Sequence, residues 1–215
     1  MSSGGQWPTT RQPEELRPFT REQVDALADE LGAVYGPLVI FAAETGLRTN
    51  EWAALERRDV DRAGRAVTVQ RRVADGVLTG YPKTERSRRR VPLSARARAA
   101  LDALPPRLDT PLLFPAPRGG YAGLDTWRAR EWYPALDAAG IERRGPYHLR
   151  HTFATEALAA GISIFELARL MGTSVRMIDK TYGHLALDSE ESLRARLDAR
   201  AARAGDELAT PAEGE

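Results

Sequence analysis

Among its 215 residues the sequence has no cysteine, which excludes disulfides and thiolate-held metals. Histidine is scarce. His148, His151 and His184 are the only three, and no HExxH pattern sets two of them on one helix face. No metal or other cofactor is therefore expected. Long apolar runs are missing as well: none approaches the roughly 18 residues of a membrane-spanning helix. The opening stretch, MSSGGQWPTTRQPEE, lacks the charged-then-apolar order of a secretory signal. A cytoplasmic protein without membrane contact is expected. An excess of one charge is also absent. The net charge is +1 and the pI about 8.1, below the value of about 9 that marks many basic nucleic-acid domains.

That average conceals clusters. Lys83, Arg86, Arg88, Arg89 and Arg90 lie within eight residues, while Asp206, Glu207, Glu213 and Glu215 collect in the tail. A local basic strip can follow a phosphate backbone even on a nearly neutral protein. The 42% apolar share is enough for a core, in one domain or two small ones.

Residues 1–17 mix Gly, Ser and Pro with polar residues and read as a disordered leader or linker. Thr20 and Gln23 form a capping box that opens a helix, and Phe19 can staple onto Val24. Val24, Leu27, Ala28 and Leu31 follow at i, i+3, i+4 and i+7. Gly36-Pro37 is expected to open a second, central helix, closed by Gly46. Thr49 or Asn50 then caps a short helix carrying Trp52 and Leu55. Asp59 to Gly64 reads as a turn. Val67, Val69 and Val73 alternate with Thr68, Gln70 and Arg72 as a half-buried strand. Asp75-Gly76 signals a hairpin. Val77–Tyr81 and Arg88–Leu93 complete an expected three-stranded antiparallel sheet, with Lys83 between them.

Ser94 caps the next helix, with Ala97, Ala100, Leu101 and Leu104 on one face. Pro105 to Gly123 is loop. A helix over 125–139 ends at Gly140 and is kinked or split by Pro134. Further helices run from Leu149 to Ala160, from Ser163 to Gly172, and from Ser174 to Tyr182. A helix over 188–204 carries Leu193 and Leu197, and an acidic disordered tail over 205–215 ends the chain. The fold class expected is α+β and mostly helical, with one small sheet.

Four residues attract notice: Arg48, Lys83, Arg150 and Tyr182. Singly each is ordinary, since arginines and lysines are mostly solvated and tyrosines mostly packed. Together they sit in local contexts that form a pattern. TGLRTNEWAAL holds Arg48, and YPKTERSRRRVPL holds Lys83. LRHTFAT holds Arg150, and LMGTSVRMIDKTYGHL ends on Tyr182. Over residues 18–204 the chain resembles the catalytic domain of the tyrosine recombinases, the phage integrase family. The resemblance implies that Tyr182 is the nucleophile, Lys83 the catalytic lysine, and Arg48 and Arg150 the two box arginines. Two positions differ from the family pattern. Tyr147 stands where a histidine precedes the second arginine by three residues, and Thr173 stands where histidine or tryptophan follows Leu-Met-Gly. His148, His151 and His184 are read as surface, packing or local structural groups. Glu51 either braces Arg48 or faces solvent.

The implied chemistry is physically coherent. A free tyrosine hydroxyl has a pKa near 10 and attacks poorly. Nearby guanidinium groups would favour its ionised form and clamp both non-bridging phosphate oxygens in pairs of hydrogen bonds. A lysine at a hairpin tip can protonate the leaving 5′ oxygen, and Tyr147 can donate a hydrogen bond to the phosphate. The resemblance thus implies site-specific recombination of double-stranded DNA, integration or excision, through a 3′-phosphotyrosyl intermediate. It implies a synaptic tetramer of protomers, with Arg86, Arg88, Arg89 and Arg90 along the DNA. The family's N-terminal DNA-gripping domain is expected to be absent. The competing expectations are a catalytically impaired DNA-binding remnant and a DNA-relaxing enzyme of the type IB topoisomerase kind.

Overall fold

The computed structural model describes residues 16–74, 76–79, 88–183, 194 and 197–199. Its first helix, α1 (Arg21–Thr45), begins where local chemistry dictates. The Thr20 side chain accepts from the Gln23 N–H, and the Gln23 side chain accepts from the Thr20 N–H. Two helical stretches meet within α1, but the break lies at Gly32, which takes φ 63° and ψ −165°, and not at Gly36-Pro37. Only glycine adopts that backbone cheaply. By length and composition α1 could cross a bilayer. Here Val24, Leu27, Leu38, Val39 and Phe41 bury it in the core of this domain.

Gly46 ends α1 in the left-handed region at φ 61°. It also lies under the Phe153 ring of a later helix, where an added Cβ would come within 2.3 Å of the ring. Gly46→Ala therefore combines left-handed strain with overpacking. A loss of roughly 2–4 kcal/mol is expected, read by urea unfolding.

Helix α2 (Thr49–Trp52) follows at once. Its N-cap is Arg48, not Thr49 or Asn50, because the Glu51 carboxylate reaches back 2.8 Å to the Arg48 N–H. Trp52 enters an aromatic cluster, edge-on to Trp127 at 5.6 Å, with Trp127 against Trp132 at 5.5 Å and Phe19 edge-on to Trp132 at 5.9 Å.

The three-stranded antiparallel sheet is present with a different membership. Its order is β1 (Val60–Asp61), β2 (Ala66–Val69), β5 (Arg89–Pro92), with Val67 paired to both Val60 and Val91. The edge strand comes from the stretch read as a turn. The expected strand over 67–73 breaks after Val69 because Arg71 turns inward. It is buried between Asp59 and Glu56, donating to the Asp59 carboxylate and the Ala54 carbonyl and ion-paired with Glu56 at 3.6 Å. β3 (Val73–Ala74) and β4 (Val77–Leu78) form a separate hairpin around Gly76.

Helix α3 (Ala95–Asp102) is capped by Ser94 as expected and packs along α1. Helix α4 (Leu124–Trp127) passes through a π-helical turn over Arg128–Trp132 into α5 (Tyr133–Ala138). The widened turn precedes Pro134, which lacks the N–H for a regular i→i−4 bond, within a helix that runs on without a break. Helices α6 (His148–Ala159), α7 (Ile164–Met171) and α8 (Val175–Tyr182) follow, with Ser163 and Ser174 as N-caps of the last two. They enclose a small second core of Ala154, Ala157, Leu167, Ala168, Met171, Ile178 and Tyr182.

Leu16 packs against this small core and Arg17 pairs with Glu142. Both belong to the folded body and not to the expected leader. Of the helix read over 188–204, the described residues 194 and 197–199 are helical.

Candidate active site

Three arginines converge on the C-terminal end of α7. The last carbonyls of a helix have no partners within it and carry its negative dipole end. Here Arg89 donates from Nε to the Leu170 carbonyl at 2.8 Å. Arg150 donates from Nη2 to Met171 at 2.8 Å, and Arg48 reaches Met171 at 3.4 Å and Gly172 at 2.9 Å. Arg48 and Arg150, 102 positions apart in the chain, thus share one carbonyl oxygen. Arg150 also donates to the Gly46 carbonyl. The close approach of α6 permitted by Gly46 is what brings Arg150 to that place.

Glu51 binds this cluster from below. Its carboxylate accepts from Arg48 Nη1 at 2.9 Å and takes both terminal nitrogens of Arg89, at 3.0 and 2.7 Å. It therefore braces Arg48, the first of its two expected roles, and Arg89 as well. Burial alone would raise the Glu51 pKa. The bonds from Arg89 and Arg48 outweigh it and hold the carboxyl below its ordinary value. Arg150 is 3% exposed. Burial, with the Arg48 charge beside it, pushes its pKa down to about 10, so it stays charged at neutral pH.

The basic strip divides. Arg89 faces inward onto Glu51 and Leu170, which removes it from the expected DNA-contacting set. Its neighbours Arg88 and Arg90 are exposed, and Arg90 pairs with Asp61 at 2.7 Å. Alternate residues of a strand point to opposite faces, so a linear strip of arginines cannot all face one way. Lys83, Arg86 and His184 lie outside the described residues.

Tyr182, at the end of α8, is 3% exposed within the small core. Its hydroxyl lies 2.7 Å from Nδ1 of His151. His151 follows Arg150 directly on α6, and the Arg150 charge is near enough to act on the phenol. Tyr147, 46% exposed, packs edge-on against the His151 ring at 5.0 Å. Expected ionisation of the phenol by guanidinium groups is not what the arrangement gives. Burial dominates and, with Tyr147, outweighs the favourable Arg150 charge, raising Tyr182 to about 12. Thr173 is half-buried at the turn between α7 and α8, its N–H bonded to the Ala168 carbonyl at 3.0 Å. Among the described residues no group of three or more His, Asp or Glu side chains is placed to hold a metal.

His151 is the residue the sequence undervalued. Its i, i+4 spacing puts it on the face of α6 that Tyr147 shares. Only the packing of α8 shows that Tyr182 meets it.

Residues 17–188 match the model of the phage integrase family. The chain belongs to that family. The prophage integrase IntR of Escherichia coli (strain K12) is 30% identical over 213 residues, covering 85% of this integrase chain and 51% of its own length. Tyrosine recombinase XerD of Mycobacterium leprae (strain TN) is 31% identical over 191 residues, covering 77% and 54%. The integrase chain therefore spans about half the length of these curated relatives. A structure of the Tn1549 transposon integrase in complex with a circular intermediate DNA superposes with a TM-score of 0.71. It covers 87% of this chain and 67% of the other, at 20% identity. The fold is thus that of a tyrosine recombinase catalytic domain.

Proposed function

We propose that this domain performs site-specific recombination of double-stranded DNA through a 3′-phosphotyrosyl link at Tyr182. The observation that carries the reading is the meeting of Arg48 and Arg150 at one carbonyl, with the Tyr182 hydroxyl bound to the residue next to Arg150. Arg48 and Arg150 clamp the non-bridging oxygens, where charge builds up as the bond to the leaving oxygen lengthens. Tyr182 attacks phosphorus, the bond to the 5′ oxygen breaks, and Lys83 supplies the proton that oxygen takes up. The phosphotyrosyl ester conserves the bond energy, so a 5′-hydroxyl of a second strand can reverse the step without ATP.

Arg88 and Arg90, with Arg86, track the DNA backbone. Arg89 acts from beneath by fixing Glu51. Tyr147 donates to the phosphate from a position where the family carries histidine. The protomers work as a tetramer on paired DNA sites in the cytoplasm. The names of the relatives, integrases of prophages and a tyrosine recombinase, support this reading.

A DNA-binding remnant is favoured by one observation: tyrosine and threonine occupy both histidine positions of the boxes. The test that separates the two uses nicked suicide duplexes recovered by binding from a random-sequence library. A covalent protein–DNA band on a denaturing gel is expected. A mobility shift with no covalent band from any recovered duplex would leave only the remnant.

A further inference from the structure

We propose that His151 is the proton acceptor for the Tyr182 hydroxyl during strand cleavage, which makes it a catalytic residue of this chain. The proposal rests on the reading just given and adds a role to it. Attack by a phenol releases a proton, and neither box position that ordinarily carries an imidazole does so here, since they hold Tyr147 and Thr173. Among the described residues the imidazole that meets the reacting oxygen is that of His151, 2.7 Å away, within the 2.6–3.2 Å reach of a general base.

The surroundings fix the ring. Tyr147 packs edge-on to it at 5.0 Å, the His148 ring lies at 5.4 Å, and the Tyr182 ring at 5.7 Å. An acceptor is also needed. A phenol raised to about 12 by burial is ionised at neutral pH in only about one molecule in 10⁵.

The step balances without another reactant. In the tautomer with hydrogen on Nε2, the Nδ1 lone pair takes the Tyr182 proton. The phenol oxygen forms its bond to phosphorus, and the 5′ oxygen leaves with a proton from Lys83. On rejoining, the 5′-hydroxyl attacks and gives its proton to the Lys83 amine, the bond from Tyr182 to phosphorus breaks, and the imidazolium returns its proton to the phenol. The bland alternative is a tether: a hydrogen bond that only holds Tyr182 in the small core.

His151→Asn separates the two. Its amide can place an acceptor where Nδ1 was, preserving a tether, but it takes up no proton at neutral pH. Covalent adduct formation by the full chain is expected to slow on the order of 10²–10⁴-fold. The loss should persist when the 5′ leaving oxygen is replaced by sulfur, which needs no proton, whereas the loss in Lys83→Ala should be restored. A loss under ten-fold, or restoration of His151→Asn by sulfur, overturns the proposal. Long-range ¹H–¹⁵N correlation on the DNA-free chain decides independently of any DNA site. His151 Nδ1 is expected to be unprotonated, and a hydrogen found on Nδ1 overturns the proposal as well. If the parent chain forms no adduct, strand transfer itself fails and the proposal with it. An active parent with an unaffected His151→Asn removes only this role.

Discussion

Tyr182→Phe should bind DNA as the parent chain does and form no covalent adduct with it. The substitution removes one oxygen and keeps the ring. The small core is therefore preserved, and the folding cost is that of one hydrogen bond to His151, about 1 kcal/mol. In the proposed function binding rests on the basic side chains and the two arginines, none of which changes. What disappears is the attacking atom, so the loss should be complete and not graded. The measurement is a denaturing gel of suicide-duplex reactions beside a mobility shift of the same samples. A surviving covalent band would point to Tyr147, the exposed phenol packed against the same imidazole. The double variant Tyr147→Phe/Tyr182→Phe would then show whether the assignment of the nucleophile is mistaken.

Glu51→Gln carries the largest expected loss of stability. Glu51 is 8% exposed and is the carboxylate between two arginines. Replacing it by a neutral amide leaves Arg89 buried without a counter-charge. The cost of breaking a buried pair on one side is on the order of 3 kcal/mol or more. The sign of the pH dependence follows from the direction of its shift. The folded-state pKa lies below the ordinary 4.5. The stabilisation is therefore fully present above that value and is lost as pH falls through the lower, folded one. Urea unfolding should show a parent chain that loses stability on acidification below about pH 4.5, where Glu51→Gln, already weaker at pH 7, loses less. Equal stability of the two chains at pH 7 would show that Glu51 contributes nothing to holding Arg89.

Much of the fold could be read from the sequence because its parts are local. The Thr20–Gln23 box and the serines at 163 and 174 cap helices through bonds spanning three residues, and such patterns survive any tertiary arrangement. The segments around Arg48, Arg150 and Tyr182 were singled out by their resemblance to the tyrosine recombinases, not by local chemistry. Three features were not legible. The inward turn of Arg71 depends on Asp59, twelve residues earlier, and on a buried salt bridge that no alternation of valines announces. The break in α1 falls on Gly32 although Gly36-Pro37 is the stronger signal. Pro37 lacks an N–H yet sits inside the second stretch, and Gly36 is pressed against the Ala28 carbonyl, where a Cβ would come within 2.3 Å. The tie between His151 and Tyr182 spans 31 residues and exists only once α8 has folded back over α6. The inward aim of Arg89 is a different case. Strand alternation through Arg88, Arg89 and Arg90 contained it, and reading the strip by charge alone obscured it.

The Tyr182 ring is a wedge in the small core as well as the carrier of the attacking oxygen. Withdrawing it would uncover that cluster and surrender apolar burial worth about 1.5–3 kcal/mol, so packing keeps the hydroxyl where it meets His151. One ring thus serves two ends, since the packing that closes the small core also sets the position of the hydroxyl.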